Sequence, residues 1–426
     1  MADVDALQLE GGIPLVGSVK VNGSRTFALR LLYASVLVGE PCNLTNIPKS
    51  KYVTDDIQVV ESVGAECTWS GLNKLTVDAQ AMKDYVIPAD YASKTVTAAF
   101  LVPALIHKFG KAVLPKSANN TLKRYRGKEY AAIWQSLGMD VREDLDNYYI
   151  EARGLRSGEI VLPYKSRILT DLAILSSLFV LGESTILNAS LDVETDDLID
   201  LCTKMGGELK RLESGAISVN GCGVFRGLSY DCPFDREEGA FFIVVTLLTN
   251  GNATLTGIDR LRFLPLINWL SKAGASYEFI DAGMRVWHNP GDAFEKTEVT
   301  VSAYPGFLTD FQPLCVFLDC FAEGTSIVHE NLLATNIDYI QDLNAMGANI
   351  SINRTTDYID IEVKGPVKLK AGRVFVKDLR YALPTLLFSL CVDGVNEIGD
   401  YSIIEGGFDT ITERLKSLGA LIPNRL

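Results

Sequence analysis

The sequence predicts an α/β protein of two domains, each built from three copies of one supersecondary unit, with helices inside and sheets outside. Three observations carry that prediction. A helix end made of a hydrophobic or small residue followed by Gly recurs six times, at Val63-Gly64-Ala65, Leu137-Gly138-Met139, Met205-Gly206-Gly207, Ala273-Gly274-Ala275, Met346-Gly347-Ala348 and Leu418-Gly419-Ala420. The interval is about seventy residues throughout, larger than the repeat of common solenoids. Within each interval a nearly all-apolar helix precedes an amphipathic one, and alternating β-like stretches follow the Gly.

Taken in order, the chain opens on Leu7 to Val16, a strand that precedes the first unit and is expected to pair with the last. The first helix of each unit is apolar nearly all round: Phe27 to Leu37, Val96 to Ile106, Leu172 to Val180, Ala240 to Leu248, Phe311 to Phe321 and Leu379 to Leu390. A helix without a polar face belongs inside. The second helix, as in Asp338 to Ala345, carries a polar face and belongs outside. The Gly that ends it supplies a positive φ, which closes the last turn and lets the chain reverse into a strand such as Ala348 to Asn353 or Gly207 to Lys210. A break near Tyr230-Asp-Cys-Pro233 divides the six units into a first domain, 22–231, and a second, 1–21 plus 232–426. The chain then crosses between domains twice.

Bulk properties narrow the function. A length of 426 residues with 47% hydrophobic content is that of a globular protein with sizeable cores. The net charge of -13 argues against nucleic acid or an anionic membrane surface as partner, while leaving room for a local basic pocket. Eight cysteines are scattered without a C-x-x-C pair, which fits reduced, buried thiols in a cytoplasmic protein. Three histidines make a His-based metal site unexpected, and no cofactor is anticipated. No apolar run reaches membrane-spanning length, and the N-terminal MADVDALQLEGG has no signal-peptide pattern.

Among candidate site residues, Asp310 stands out. It follows the turn-prone Tyr304-Pro-Gly306 and precedes the apolar Pro313 to Phe321, where a carboxylate is favoured by the helix dipole either as a cap or as a positioned base. Together with Gly23-Ser-Arg-Thr-Phe-Ala-Leu-Arg30, Phe234-Asp-Arg-Glu-Glu238, Phe307-Leu-Thr-Asp-Phe-Gln312 and Lys377-Asp-Leu-Arg380, the six-unit layout resembles the enolpyruvyl transferases from about residue 7 to about residue 420. The members acting on a nucleotide sugar look closer than the shikimate-type ones.

The resemblance implies a two-domain inside-out α/β barrel that closes over phosphoenolpyruvate and an alcohol, without a metal. That chemistry needs a base for the acceptor hydroxyl, an acid for the enolpyruvyl methylene and cations for phosphate and carboxylate. It implies Asp310 as the acceptor-side carboxylate, with Arg380 and Arg25 as catalytic cations, Arg25 standing where the family carries a lysine. Substrate binding falls to Thr26, Arg30, Ser166 and Glu238, and to Arg124 and Arg126 in the basic loop 114–129. The alternative for Arg380 is an ion pair with Asp378 or Asp310.

Departures from the family pattern are part of the same reading. Near the loop tip, where the family carries Cys or Asp, the chain has Ser117, Ala118 and Asn119, none a ready proton donor. Expected cations are replaced by Val96, by the stretch Ala334-Thr-Asn336 and by Gly406. The expectation is a divergent enolpyruvyl transferase acting on a nucleotide-sugar, nucleoside or similar polar acceptor, with a repurposed reaction or a non-catalytic binding role as alternatives.

Overall fold

The computed structural model describes residues 5–116, 127–330, 337–354 and 359–423. The chain divides into two compact units, Gly23–Pro233 and Met1–Asn22 with Phe234–Leu426, and passes between them at residues 22–23 and 233–234. Each unit has its own core.

In the Gly23–Pro233 unit, three helical segments are almost wholly buried: α1 (Arg25–Val36), the pair formed by a 3-10 turn at Ala98–Leu101 and α3 (Val102–Phe109), and α5 (Arg167–Ser177). Their partners α2 (Lys51–Ser62), α4 (Gly127–Ser136) and α6 (Val193–Lys204) bury one face each, as an amphipathic pattern dictates. The other unit repeats the scheme with α7 (Arg236–Leu248), α9 (Gln312–Asp319) and α11 (Leu379–Cys391) inside, and with α8 (Leu264–Lys272), α10 (Tyr339–Ala345) and α12 (Ile411–Ser417) beside them. Three of the inner helices, α1, α5 and α7, begin earlier than apolarity alone indicates, because their first turns carry capped polar residues. The fifth is also shorter, since a 3-10 turn at Thr309–Phe311 precedes it and it ends at Asp319.

All six repeat-marking glycines have positive φ, from 73° at Gly274 to 115° at Gly206, the backbone state predicted for a helix stop. Among the described residues the sheets are small, of three to five strands each. The opening segment forms two strands where one was expected. Leu7–Gly11 pairs antiparallel with Gly394–Gly399 of the last repeat, whereas Val16–Lys20 pairs parallel with Asn252–Thr256 of the fourth. Gly12, at φ 80°, and Pro14 interrupt the run between them.

The inner helices of each unit run in one direction. In the Gly23–Pro233 unit, Arg30 in the second turn of α1 meets Asp171 in the second turn of α5 and lies over Phe100 in the 3-10 turn before α3. Their N-terminal ends therefore share one end of the bundle. In the other unit, Leu247 and Leu248 of α7, Phe321 just beyond α9 and Cys391 of α11 line one hollow of about 600 Å³, so the C-terminal ends meet there and the N-termini lie opposite.

All eight cysteines are free thiols and six of them are buried. No described helix is long and apolar enough to cross a membrane.

Candidate active site

Those of the singled-out residues that the structure describes, Arg25, Thr26, Arg30, Ser166, Glu238, Asp310 and Arg380, lie in the first two turns or at the caps of the inner helical segments, one set in each unit. In the Gly23–Pro233 unit the set begins at Ser24, whose hydroxyl accepts the Phe27 N–H at 3.1 Å and caps α1. Gly23 is needed immediately before it, because a Cβ there would lie 1.8 Å from the Asn46 carbonyl oxygen. Ser166 caps α5 in the same way through the Leu169 N–H. Free first-turn N–H groups and the helix dipole make such ends favourable to negative charge.

Glu194, in the first turn of α6, brings a carboxylate to this end. It accepts from Ser24 Oγ at 2.8 Å, from Thr26 Oγ1 at 3.0 Å and from an Arg167 guanidinium nitrogen at 2.6 Å. Glu194 is buried and Thr26 is half-buried. One turn deeper, Arg30 Nε donates to Asp171 Oδ2 at 3.0 Å, a second Arg30 nitrogen donates to the Thr26 carbonyl at 2.6 Å, and Thr195 donates to Asp171 Oδ1 at 3.2 Å. Burial pushes the Asp171 carboxyl up to about 6, against the pull of Arg30 and Arg167. Arg25 is buried at the first position of α1.

In the other unit, Asp235 caps α7 by accepting the Glu237 and Glu238 N–H groups. Arg236 follows it, buried, with its guanidinium 5.9 Å from the Tyr304 ring centroid. Asp310 is exposed within the 3-10 turn that leads into α9, inside the first turn and not at its cap position, which Leu308 occupies without a side-chain bond. Beside it, Thr309 donates to the buried Glu330 at 3.2 Å, and Gln312 accepts from Tyr339 Oη at 2.9 Å. Arg380 lies in the first turn of α11 and pairs with the capping Asp378 through Nε at 3.2 Å and a terminal nitrogen at 2.6 Å. That hydrogen bond raises the arginine's pKa further.

A family model described as EPSP synthase (3-phosphoshikimate 1-carboxyvinyltransferase) matches residues 9–415. The chain belongs to this family. It is thus an enzyme of the enolpyruvyl transferase group, built for carboxyvinyl transfer. Among relatives, a UDP-N-acetylglucosamine 1-carboxyvinyltransferase 1 from Legionella pneumophila is 29% identical, the match covering 97% of this chain and 82% of that protein. One from Gloeobacter violaceus is 27% identical over 99% of this chain and 90% of its own length. The enolpyruvyl transferase NikO from Streptomyces tendae superposes with a TM-score of 0.88 over 98% of each chain at 21% identity. EPSP synthase from Acinetobacter baumannii gives 0.73 at 17% identity, covering 98% of this chain and 99% of that one.

Within this transferase, Arg25, Thr26, Arg30 and Ser166 occupy one end of one bundle. Asp310 and Arg380 occupy the corresponding end of the other, each in the first turn of its helical segment. Glu238, also expected to contact substrate, makes structural contacts within its unit. Its carboxylate receives both terminal nitrogens of Arg414, at 2.5 and 2.7 Å, and the Asn22 N–H at 2.7 Å, which ties α7 to α12 and to the segment leading out of the unit. Both oxygens are already engaged. Arg124 and Arg126, with Ser117 to Asn119 and Ala334 to Asn336, lie outside the described residues.

Sequence reading missed Arg167, Glu194 and Asp171. The first had a signal in plain view, since Ser166-Arg167 repeats the Ser24-Arg25 pair at the start of an inner helix, and Asp235-Arg236 repeats it again with another capping residue.

Proposed function

We propose that this transferase moves the enolpyruvyl group of phosphoenolpyruvate to a hydroxyl of a nucleotide sugar, a nucleoside or a similar polar acceptor. What supports the reading is the gathering of Arg25, Thr26, Arg30, Ser166 and Arg167 at capped helix starts of one unit, which suits oxyanions and hydroxyl-rich ligands. The relatives named for UDP-N-acetylglucosamine point the same way.

Asp310 acts as the base. It takes the acceptor proton as the hydroxyl oxygen bonds to C2 of phosphoenolpyruvate, and C3 gains a proton. Loss of a proton from C3 and of phosphate from C2 then restores the double bond. Arg380 and Arg25 hold the anionic groups and balance charge as it develops. Positions 117–119 offer no thiol or carboxylic acid, so the proton for C3 comes from another group or from water.

The test is phosphate release from phosphoenolpyruvate with a panel of UDP-N-acetylglucosamine, uridine nucleotides and nucleosides. Release should fall by about 10²–10⁴-fold in Asp310→Asn. No release with any acceptor would abandon the reading. A second reading, the same fold serving a transfer or elimination without phosphoenolpyruvate, is favoured by one observation: Arg30 and Arg167 are already paired with Asp171 and Glu194. Turnover of a substrate lacking phosphoenolpyruvate, lost in Asp310→Asn, would select it.

A further inference from the structure

The geometry points to a second ligand site in the hollow of about 600 Å³ over the C-terminal ends of α7, α9 and α11, built to hold a small zwitterion with an apolar body, such as an apolar α-amino acid. It does not depend on which group the enzyme transfers. With 13 residues in α11, about 20 Å of helix separates this hollow from the first turn, where Arg380 lies. Its volume falls within the range of about 300–1,000 Å³ usual for small-molecule sites. Each wall is pinned to a different helix end. The His288 N–H donates to the Gly251 carbonyl, just past α7, at 3.1 Å, and the Val367 N–H donates to the Cys320 carbonyl, just past α9, at 2.9 Å. Asp393 follows the end of α11 directly, and its carboxylate packs against Gly12, where a Cβ would collide with it.

The lining has an apolar floor and a charged rim. Leu247, Leu248, Phe294, Phe321 and Leu369 form the floor. His288, 8% exposed, stacks on Phe294 with ring centroids 4.2 Å apart and planes 9° from parallel. Burial pushes its pKa down, so the imidazole is a neutral hydrogen-bonding group near pH 7. On the rim, Asp292 is engaged within its own turn, accepting from the Asn289 side chain at 2.9 Å and backbone at 3.3 Å. Lys368, Lys370 and Asp393 are exposed, and among the described residues none of the three has an ion-pair partner. Lys370 and Asp393 lie on neighbouring segments, since Ala371 Cβ is 3.2 Å from the place a Cβ on Gly394 would take. A lone anion here would meet Asp393 and the negative ends of three helices, whereas a lone cation would meet two lysines. A ligand with a carboxylate for the lysines, an ammonium for Asp393 and an apolar body for the floor matches every part of the lining.

The experiment is calorimetric titration of the full chain with L-leucine, L-phenylalanine and L-tryptophan, without turnover. The amino acid that binds most tightly is then compared with its decarboxylated amine and its deaminated acid. At least one of the three is expected to bind, and each half-charged analogue to bind about tenfold more weakly than its parent. Asp393→Asn is expected to weaken the amino acid about tenfold while the deaminated acid binds no more weakly than to the wild type. Lys368→Gln combined with Lys370→Gln is expected to do the converse, weakening the amino acid while the decarboxylated amine binds no more weakly. All three side chains are exposed, so both variants should unfold at the wild-type temperature. No binding of any of the three amino acids up to about 10 mM, analogues that bind as tightly as the parent, or an amino-acid affinity unchanged in either variant would each overturn the proposal. Binding that is lost in Arg380→Met but kept in the Asp393 and lysine variants would place the amino acid at the other end of the bundle and overturn it as well.

Discussion

The helix N-terminal ends of the two units differ in how their arginines are held. In the Gly23–Pro233 unit the pairs join different helices: Arg30 of α1 with Asp171 of α5, and Arg167 of α5 with Glu194 of α6. The first is almost completely buried, at 5% and 1% side-chain exposure. In the other unit the pair at Arg380 is local, reaching back two residues to its own helix cap at 41% and 36% exposure, and Asp310 is open to solvent. A pair between helices is part of the packing and pre-sets geometry, whereas a pair within one turn costs little to open. On the function proposed above, the first end suits a binding surface, and the Arg380 turn of the second suits a place where groups exchange partners during a reaction.

The largest way to break that contrast is Arg30→Met. It strands the Asp171 carboxylate in a buried site, and removal of one partner from such a pair costs about 3–5 kcal/mol. Thermal unfolding of the Gly23–Pro233 unit should drop sharply, while peptides of the other unit keep their hydrogen-exchange protection. Equal loss in both units would show that the pair does not act locally. Next in size is Arg414→Met. It leaves Glu238, 3% exposed, with the Asn22 N–H but without its cation, and the expected cost is about 2–3 kcal/mol. Here protection should fall around α7 and α12 and leave α1 and α5 unchanged.

These partners mark the boundary of what the sequence discloses. The six repeats were legible because their signals are local: a helix stop needs positive φ, and a buried helix needs apolar residues on every face, as in α7, where Ala240 to Val245 are all buried. The helix starts were half legible, since Ser24-Arg25 and Asp378-Leu-Arg380 are short motifs. Partners were not. Arg30 and Asp171 are 141 residues apart, Thr26 and Glu194 are 168 apart, and Glu238 and Arg414 are 176 apart. Which carboxylate neutralises which arginine depends on how the units close, and no periodicity encodes it. Glu238 illustrates this: within its motif it looks available, and Arg414 reaches it only in the folded unit.

A smaller effect separates the two cores by pH. Asp319, fully buried at the end of α9, accepts from Thr297 at 3.0 Å and faces the Cys315 thiol at 3.5 Å. Burial outweighs these bonds and pushes its carboxyl up to about 7, while Asp171 and Asp56 in the other unit are pushed up to about 6. A carboxyl whose folded pKa lies above its unfolded value, about 4, contributes stability that is complete below pH 4 and is lost as pH rises through the folded pKa. The loss is at most about 1.4 kcal/mol per pH unit for each group. Both units should therefore weaken from about pH 4 to 6, and between pH 6 and 7 the decline should continue mainly in the unit holding Asp319. Asp319→Asn should flatten that last segment in denaturation curves recorded at pH 5, 6, 7 and 8. An unchanged slope would mean that Asp319 is ionised in the folded protein well below pH 7.

The smallest expected effect on stability is the one that tests the functional half of the contrast. Arg380→Met removes a partly exposed pair, and exposed pairs contribute about 0.2–1 kcal/mol, so unfolding should shift very little. If Arg380 exchanges Asp378 for a substrate anion, kcat/KM should still fall by about two orders of magnitude, because a charge-assisted contact in a water-poor site is worth about 3 kcal/mol. Arg380→Lys keeps the charge but cannot form the two-pronged contact, and should recover only part of that loss. A fall in unfolding temperature as large as that of Arg30→Met would place Arg380 with the packing arginines. Unchanged activity with unchanged stability would make it a surface residue, and the search for the anion's partner would move to Arg236, which is buried at the start of α7 and follows its cap as Arg25 and Arg167 follow theirs.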